Sequence, residues 1–275
     1  MTNLMSHHPK SIDVHVMVNG RKATVQSGKG IVRFKFTSGQ NKETIVALAR
    51  QQIQCVALGS GKAGLQLAKP HVIVPNTKRP VTSVILSRSC ADVSDAWQNV
   101  AEYLSTEMHA IDCSTGVQLT TTCERYTVHL LSGQVTNTVV AWQKNKCFIV
   151  QDVKAAILQR TTGGMKTYDA HIIPTSGPIV TVEMLPHSTM GEWNRLFGDE
   201  QVVDAGADPL HSSYVEHAQT VPSVKDFVAR VLEQDSSASS DEASEWDGSS
   251  SSSSSSGDEL SCISSCSESD MSEDD

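Results

Sequence analysis

The sequence predicts an α+β fold: a largely antiparallel sheet with several packed helices, followed by a disordered acidic tail. Three observations carry that expectation. Segments of period two and segments of helical period are mixed, without the strand–helix alternation that builds a parallel sheet. Short strand patterns crowd residues 116–150, close enough together for hairpin pairing. Residues 235–275 hold 19 serines and 12 acids and no Lys or Arg, so little there offsets the entropy of ordering a chain.

The elements follow in order. Residues 1–11 are polar and form a flexible N-terminus. Ile12, Val14, Val16 and Val18 alternate with Asp13, His15 and Met17, which marks a half-buried strand. Asn19-Gly20 is a strong hairpin signal, and the return strand covers 21–26. A third strand runs through 30–37, with Val32, Phe34 and Phe36 on one face and Ile31, Arg33 and Lys35 on the other. That apolar company assigns the two phenylalanines to the core rather than to base stacking.

Residues 43–56 (ETIVALARQQIQCV) read as a helix, and Gly59-Ser60-Gly61 as a turn after it. Strands are expected at 70–74 and 82–88. The clearest helix is 92–108, where Val93, Ala96, Trp97, Val100, Ala101, Leu104 and Met108 form one stripe behind an Asp92 or Ser94 cap. Strands near 116–122, 125–131, 135–142 and 146–150 precede a helix at 152–160. Strands at 169–173 and 178–185 and a short helix at 189–197 close the globular block, which spans 12 to about 200. Residues 201–220 read as a linker. Over 221–234, Val224, Phe227, Val228, Val231 and Leu232 make an amphipathic helix that either docks on the body or pairs with a second chain.

Composition narrows the class. No apolar run reaches 18 residues, so no membrane-spanning helix is expected, and the N-terminus lacks the apolar core of a secretory signal. Seven cysteines are an odd number with no C-x-x-C pair, which suits a reducing intracellular compartment, the nucleus ahead of the cytoplasm. Cys55 and Cys147 read as core residues. Close Cys/His pairs at zinc spacing are missing, so neither a metal nor a cofactor is expected.

Charge is the informative quantity. Residues 1–90 carry thirteen Lys/Arg against two acids, a net of +11. Residues 91–234 carry nine against seventeen (−8), and residues 235–275 none against twelve (−12), which together restore the net charge of −9. A basic third with an acidic appendage points to a polyanion partner. The candidate nucleic-acid contacts are Arg21, Lys22, Lys29, Arg33, Lys35, Lys42, Arg50 and Lys62. With few aromatics among them, the pattern suits backbone tracking, single-stranded in preference, over reading of bases.

In the tail, Ser239, Ser244, Ser255, Ser256, Ser265, Ser267 and Ser272 each have an acid three residues on, the pattern favoured by acidophilic serine kinases. Each phosphate would add roughly −1.5 to −2 charges. A flexible segment of 41 residues has a root-mean-square span of roughly 35 Å, so the tail could reach the basic region and compete with nucleic acid. Leu260-Ser261-Cys262-Ile263-Ser264 resembles the L-x-C-x-E pocket-protein-binding motif of DNA-tumour-virus regulators, with Ser264 where the motif has Glu. That resemblance implies a host regulatory protein as a partner of the tail.

Two segments are enzyme-like. Gly59-Ser60-Gly61-Lys62-Ala63-Gly64 departs from a phosphate loop at Val56, where a glycine is needed, and at Ala63, where a hydroxyl is needed. Pro174-Thr175-Ser176-Gly177-Pro178-Ile179-Val180 resembles the nucleophile segment of chymotrypsin-like viral proteases, and His71 and Asp112 precede it in that family's order. The resemblance implies Ser176 as a nucleophile. The chain departs from it by one residue missing between Gly177 and Pro178, by Pro174 in place of a glycine, and by Pro70 before His71. Proline has no N–H for an oxyanion hole, so a tight turn between strands is preferred and no catalytic residue is assigned.

The functional expectation is a non-enzymatic regulatory phosphoprotein, with the flavour of a viral early protein. It would bind nucleic acid through residues 1–90 under the control of its tail. The alternative is a protein–protein adaptor that recruits host partners or self-associates through helix 222–234 and the tail.

Overall fold

Strand follows strand for most of the chain. The computed structural model describes residues 14–28, 30–37, 43–73, 79–88, 95–144, 146–162, 164–207 and 209–238. The first sheet contains β1 (Val14–Val18), β2 (Arg21–Gly28), β3 (Ile31–Thr37), β4 (Glu43–Ala49), β5 (Ile53–Gly59), β6 (Lys62–His71), β7 (Val81–Arg88) and β8 (Ile111–Asp112), with α1 (Asp95–Met108) preceding β8. Its order is β4-β3-β2-β1-β7-β6-β5-β8. The second sheet is a meander of β9 (Val117–Thr120), β10 (Tyr126–Leu131), β11 (Thr138–Gln143) and β12 (Lys146–Val150). The third holds β13 (Val153–Gln159), β14 (Thr167–Pro174), β15 (Val180–Pro186) and β16 (Val202–Asp204), in the order β15-β14-β13-β16. The remaining helices are α2 (Met190–Phe197), α3 (Ser212–Ala218) and α4 (Val224–Ala238).

The α+β expectation is therefore overturned. Sixteen strands stand against four α-helices among the described residues, and the fold is mostly β. Two expected helices are strands. Residues 43–56 form β4, one turn of 3-10 helix at Arg50–Gln52, and β5. β4 is an edge strand whose outward positions Ile45, Ala47 and Ala49 are small or apolar, so the polar alternation that betrays a strand is missing. Residues 152–160 hold β13, which lies between β14 and β16 and is apolar on both faces. A strand buried on both sides reads as a continuous apolar run, like a buried helix. The expected linker holds β16, paired parallel to β13, and α3. Residues 1–11 and the tail beyond Ala238, with the expectations for them, lie outside the described residues.

The Asn19-Gly20 hairpin forms as its sequence demands. Both residues have positive φ, 47° and 80°. Asn19 is also tied to β7: its N–H donates to the Ile85 carbonyl at 2.9 Å, and its Oδ1 accepts from the Ile85 N–H at 2.8 Å.

Side-chain parity stacks the sheets. Inward residues of the first sheet, including Val18, Val25, Phe34, Leu65 and Leu86, enclose the Trp97, Val100, Leu104 and Met108 stripe of α1. On the outer face of β5 to β7, Cys55, Ala57 and Ile85 pack on Val140, Trp142, Cys147 and Ile149 of the second sheet. The alternate residues of the second sheet, Val128, Leu130, Val139 and Ala141, meet the third sheet and Trp193 of α2. The far face of the third sheet is covered by Val215 and Ala218 of α3 and Val224 and Val228 of α4. The stripe of α4 is thus buried against its own chain.

Candidate nucleic-acid interface

The seam between the first two sheets is bonded as well as packed. β12 is an edge strand, and its N–H groups are taken up by side chains of the first sheet. Cys147 N–H donates to Ser83 Oγ at 3.2 Å, and Ile149 N–H to Gln66 Oε1 at 2.9 Å. Gly64 on β6 lets the sheets approach, because a Cβ there would lie 2.5 Å from Cys147 Sγ and 2.9 Å from the Trp142 ring.

At one end of this seam three hairpin tips surround an open groove of about 860 Å³. The β5–β6 turn contributes Ser60, Gly61 and Lys62; Gly61 takes φ +68°, and its carbonyl accepts the Arg88 N–H at 2.9 Å. The β9–β10 turn contributes Glu124 and Arg125, held by Glu124 N–H on the Thr121 carbonyl (2.9 Å) and Tyr126 N–H on Thr121 Oγ1 (3.0 Å). The β11–β12 turn contributes Lys144 and Lys146, and β7 adds Ser87. Four cations thus meet one carboxylate.

These charges are poorly neutralised from within. Among the described residues no ion pair involves Lys62, Lys144 or Lys146, and Arg125 meets only Glu183, at 3.8 Å with both side chains exposed. Such an exposed pair contributes little. The Lys62 ammonium lies 5.7 Å from the centroid of the Trp142 ring, a cation–π contact that fixes the lysine at the groove wall. Trp142 is 2% exposed, so it supports Lys62 and offers no stacking surface. Beneath lies His129, whose pKa is lowered by burial and further by the Lys62 charge, against a bond to the Cys113 carbonyl. Burial pushes the Cys55 thiol up to about 11 and the Cys113 thiol up to about 12, so neither offers a thiolate.

The basic residues expected from residues 1–90 divide. Lys62 is in the groove. Lys22 and Arg33 are exposed on the outer face of the first sheet, beside Lys35, which pairs with Glu43 at 2.7 Å. Arg21 has the parity of the opposite face. Arg50 serves the chain itself, its Nη1 donating to the Ile53 carbonyl at 2.9 Å. Lys29 and Lys42 lie outside the described residues, as do all seven candidate phosphorylation serines, Ser239 to Ser272, and the segment around Cys262. Arg125, Lys144 and Lys146 were missed, because they sit in a segment whose total charge is negative.

Ser176 is exposed at the β14–β15 turn, in a hollow with Gln54, Pro174 and Gly177. His71 lines another hollow with Leu48 and Gln52. Hydrogen bonding by the Ser114 side chain, and then by the Ser114 N–H at 2.9 Å, lowers the pKa of Asp112. Among the described residues no hydrogen bond joins Ser176, His71 and Asp112. In comparisons with known proteins, no family model and no curated sequence matches the chain.

Proposed function

We propose that the protein is a regulatory phosphoprotein that binds nucleic acid, single-stranded in preference, in the groove between its first two sheets. The observation that carries this reading is the convergence of Lys62, Arg125, Lys144 and Lys146 on one groove, three of them without an ion pair among the described residues. Like charges held together repel, and phosphates supply the missing counter-charge. A groove lined by cations without an exposed aromatic suits backbone tracking rather than reading of bases. A single strand is favoured because no helix among the described residues is suited to enter a major groove: α1 and α3 carry no Lys or Arg, α2 carries Arg195 paired with Glu192, and the sequence of α4 sets Lys225 and Arg230 near Asp226 and Glu233.

The acidic C-terminal segment regulates the groove by competing for it, more strongly when an acidophilic kinase has phosphorylated it. The adaptor reading is less favoured, because the apolar stripe of α4 is covered by the third sheet.

The test is fluorescence anisotropy of a labelled single-stranded oligonucleotide with the full chain and with a Lys62→Glu, Lys144→Glu, Lys146→Glu variant over a salt series. Wild type should bind. The variant should bind more weakly, with a salt slope shallower by about 2, from roughly 0.7 per lost phosphate contact on a single strand. Equal affinity and slope would refute the groove. Phosphorylating the full chain should weaken binding, and unchanged affinity would refute the regulatory role.

A further inference from the structure

The groove opens onto a second basic feature. Cross-strand register carries the outer face of the first sheet from Lys62 on β6 to Ser87 on β7, Met17 on β1 and Lys22 on β2. These four positions share one face and one row. Three inter-strand steps of about 4.8 Å place the Lys22 and Lys62 backbones about 14 Å apart. On β3 the same face continues through Lys35, opposite Thr24, and Arg33, opposite Gln26. The second sheet covers only the β5–β7 part of this face. Lys22 and Arg33 are exposed, and neither forms an ion pair among the described residues. The acid on the described part of the β1–β4 face, Glu43, is engaged by Lys35.

We propose that this row is a track along which a single strand leaving the groove crosses β7, β1 and β2, with Lys22 and then Arg33 each taking a phosphate further along the strand. The inference rests on the groove reading and adds to it a path, a direction across the strands and a longer footprint. Lys22 and Arg33 extend the four groove cations by a further span of the order of 20–30 Å, from the spacing of strands and of residues along them. Short strands would occupy the groove alone. Longer ones, within the roughly 4–16 nucleotides that single-strand sites cover, would gain the track. Met17, half-buried midway, presents no ring, so the track is blind to sequence.

The test compares a thymidylate tetramer with a dodecamer on the full chain, on a Lys22→Glu, Arg33→Glu variant, and on the groove variant. Wild type should show a dodecamer salt slope steeper than the tetramer slope by about 1.4, an extra ~7-fold loss of affinity over a fourfold rise in salt. The Lys22→Glu, Arg33→Glu variant should lose that difference and bind the tetramer as wild type does. The groove variant should weaken both oligonucleotides. Wild-type binding of the dodecamer by Lys22→Glu, Arg33→Glu, with the groove variant still impaired, would overturn the track and leave the groove standing. Equal losses on tetramer and dodecamer would overturn it too, as an effect of net charge. Failure of the wild-type chain to bind either oligonucleotide would remove the groove reading and the track with it.

Discussion

Gly64→Ala tests the seam on which the groove is built. The added methyl would stand 2.5 Å from Cys147 Sγ, 2.7 Å from Cys147 Cβ and 2.9 Å from a Trp142 ring carbon. Carbon contacts are comfortable near 3.5–4.0 Å, so each overlap approaches or exceeds about 0.6–1 Å. None of these atoms is the end of a flexible surface chain, since Cys147 and Trp142 are each 2% exposed. Overpacking of this kind costs about 1–3 kcal/mol, and here the upper half of that range applies. Replacing a strand glycine offsets about 0.5–1 kcal/mol of it by restricting the unfolded chain. The net is about 2 kcal/mol, or about 4–8 °C in Tm for a chain of this size, if unfolding is two-state. Urea unfolding followed by tryptophan fluorescence would read it. Cys147→Ala should be less damaging in the Gly64→Ala background than alone, because the sulfur is the nearest obstacle. A Gly64→Ala chain as stable as wild type would refute the close approach of the two sheets.

Two further outcomes follow from buried polar groups. Lys154 Nζ donates to the carbonyls of Ala218 (3.5 Å), Gln219 (2.8 Å) and Val221, where α3 ends. Lys154→Met should cost about 2–3 kcal/mol in urea unfolding and speed amide exchange in α4, because the carbonyls lose a charged donor; unchanged exchange would count against that tie. Burial lowers the pKa of His129, and lowers that of His171 against the opposing pull of the Asp169 and Glu183 carboxylates. The folded chain therefore keeps both neutral where the unfolded chain takes up protons. Their contribution is complete above the ordinary histidine pKa of about 6.5 and is lost as pH falls below it toward the folded values, by up to about 1.4 kcal/mol per pH unit for each. A denaturation midpoint that stays level or rises between pH 7 and pH 5 would contradict this.

Elements were legible either as short runs bounded by polar turns, as in β10 to β12, which are packed on both faces, or because they show water one face, as α1 does. β13 does not, because Ala156 and Leu158 face the second sheet while Ala155 and Ile157 face α3 and α4. β4 fails for the opposite reason: Ile45, 60% exposed, sits on its solvent face, so exposure left no polar mark. Stacking three sheets was out of reach, since it depends on contacts such as Gln66 to Ile149, 83 residues apart. Of the candidate site, Lys62 was legible as a basic residue beside a glycine turn. The Lys144–Lys146 turn was also visible between two expected strands, but a segment total of −8 concealed it.

That total misleads because charge is sorted by layer rather than by stretch of chain. Toward the third sheet most of the cations are spent internally: Lys154 on the α3 carbonyls, Arg160 on Asp169 at 2.7 Å, Arg195 on Glu192 and Lys225 on Glu200. At the seam of the first two sheets Lys62, Lys144 and Lys146 have no such partner among the described residues. In the first sheet, described residues 14–88 hold nine Lys/Arg against Glu43 alone. A chain of net charge −9 can therefore present a cationic groove, because its acids lie in other layers and in the C-terminal segment. Three of the four groove cations have no ion-pair partner among the described residues, while the densest run of acids in the sequence is that segment.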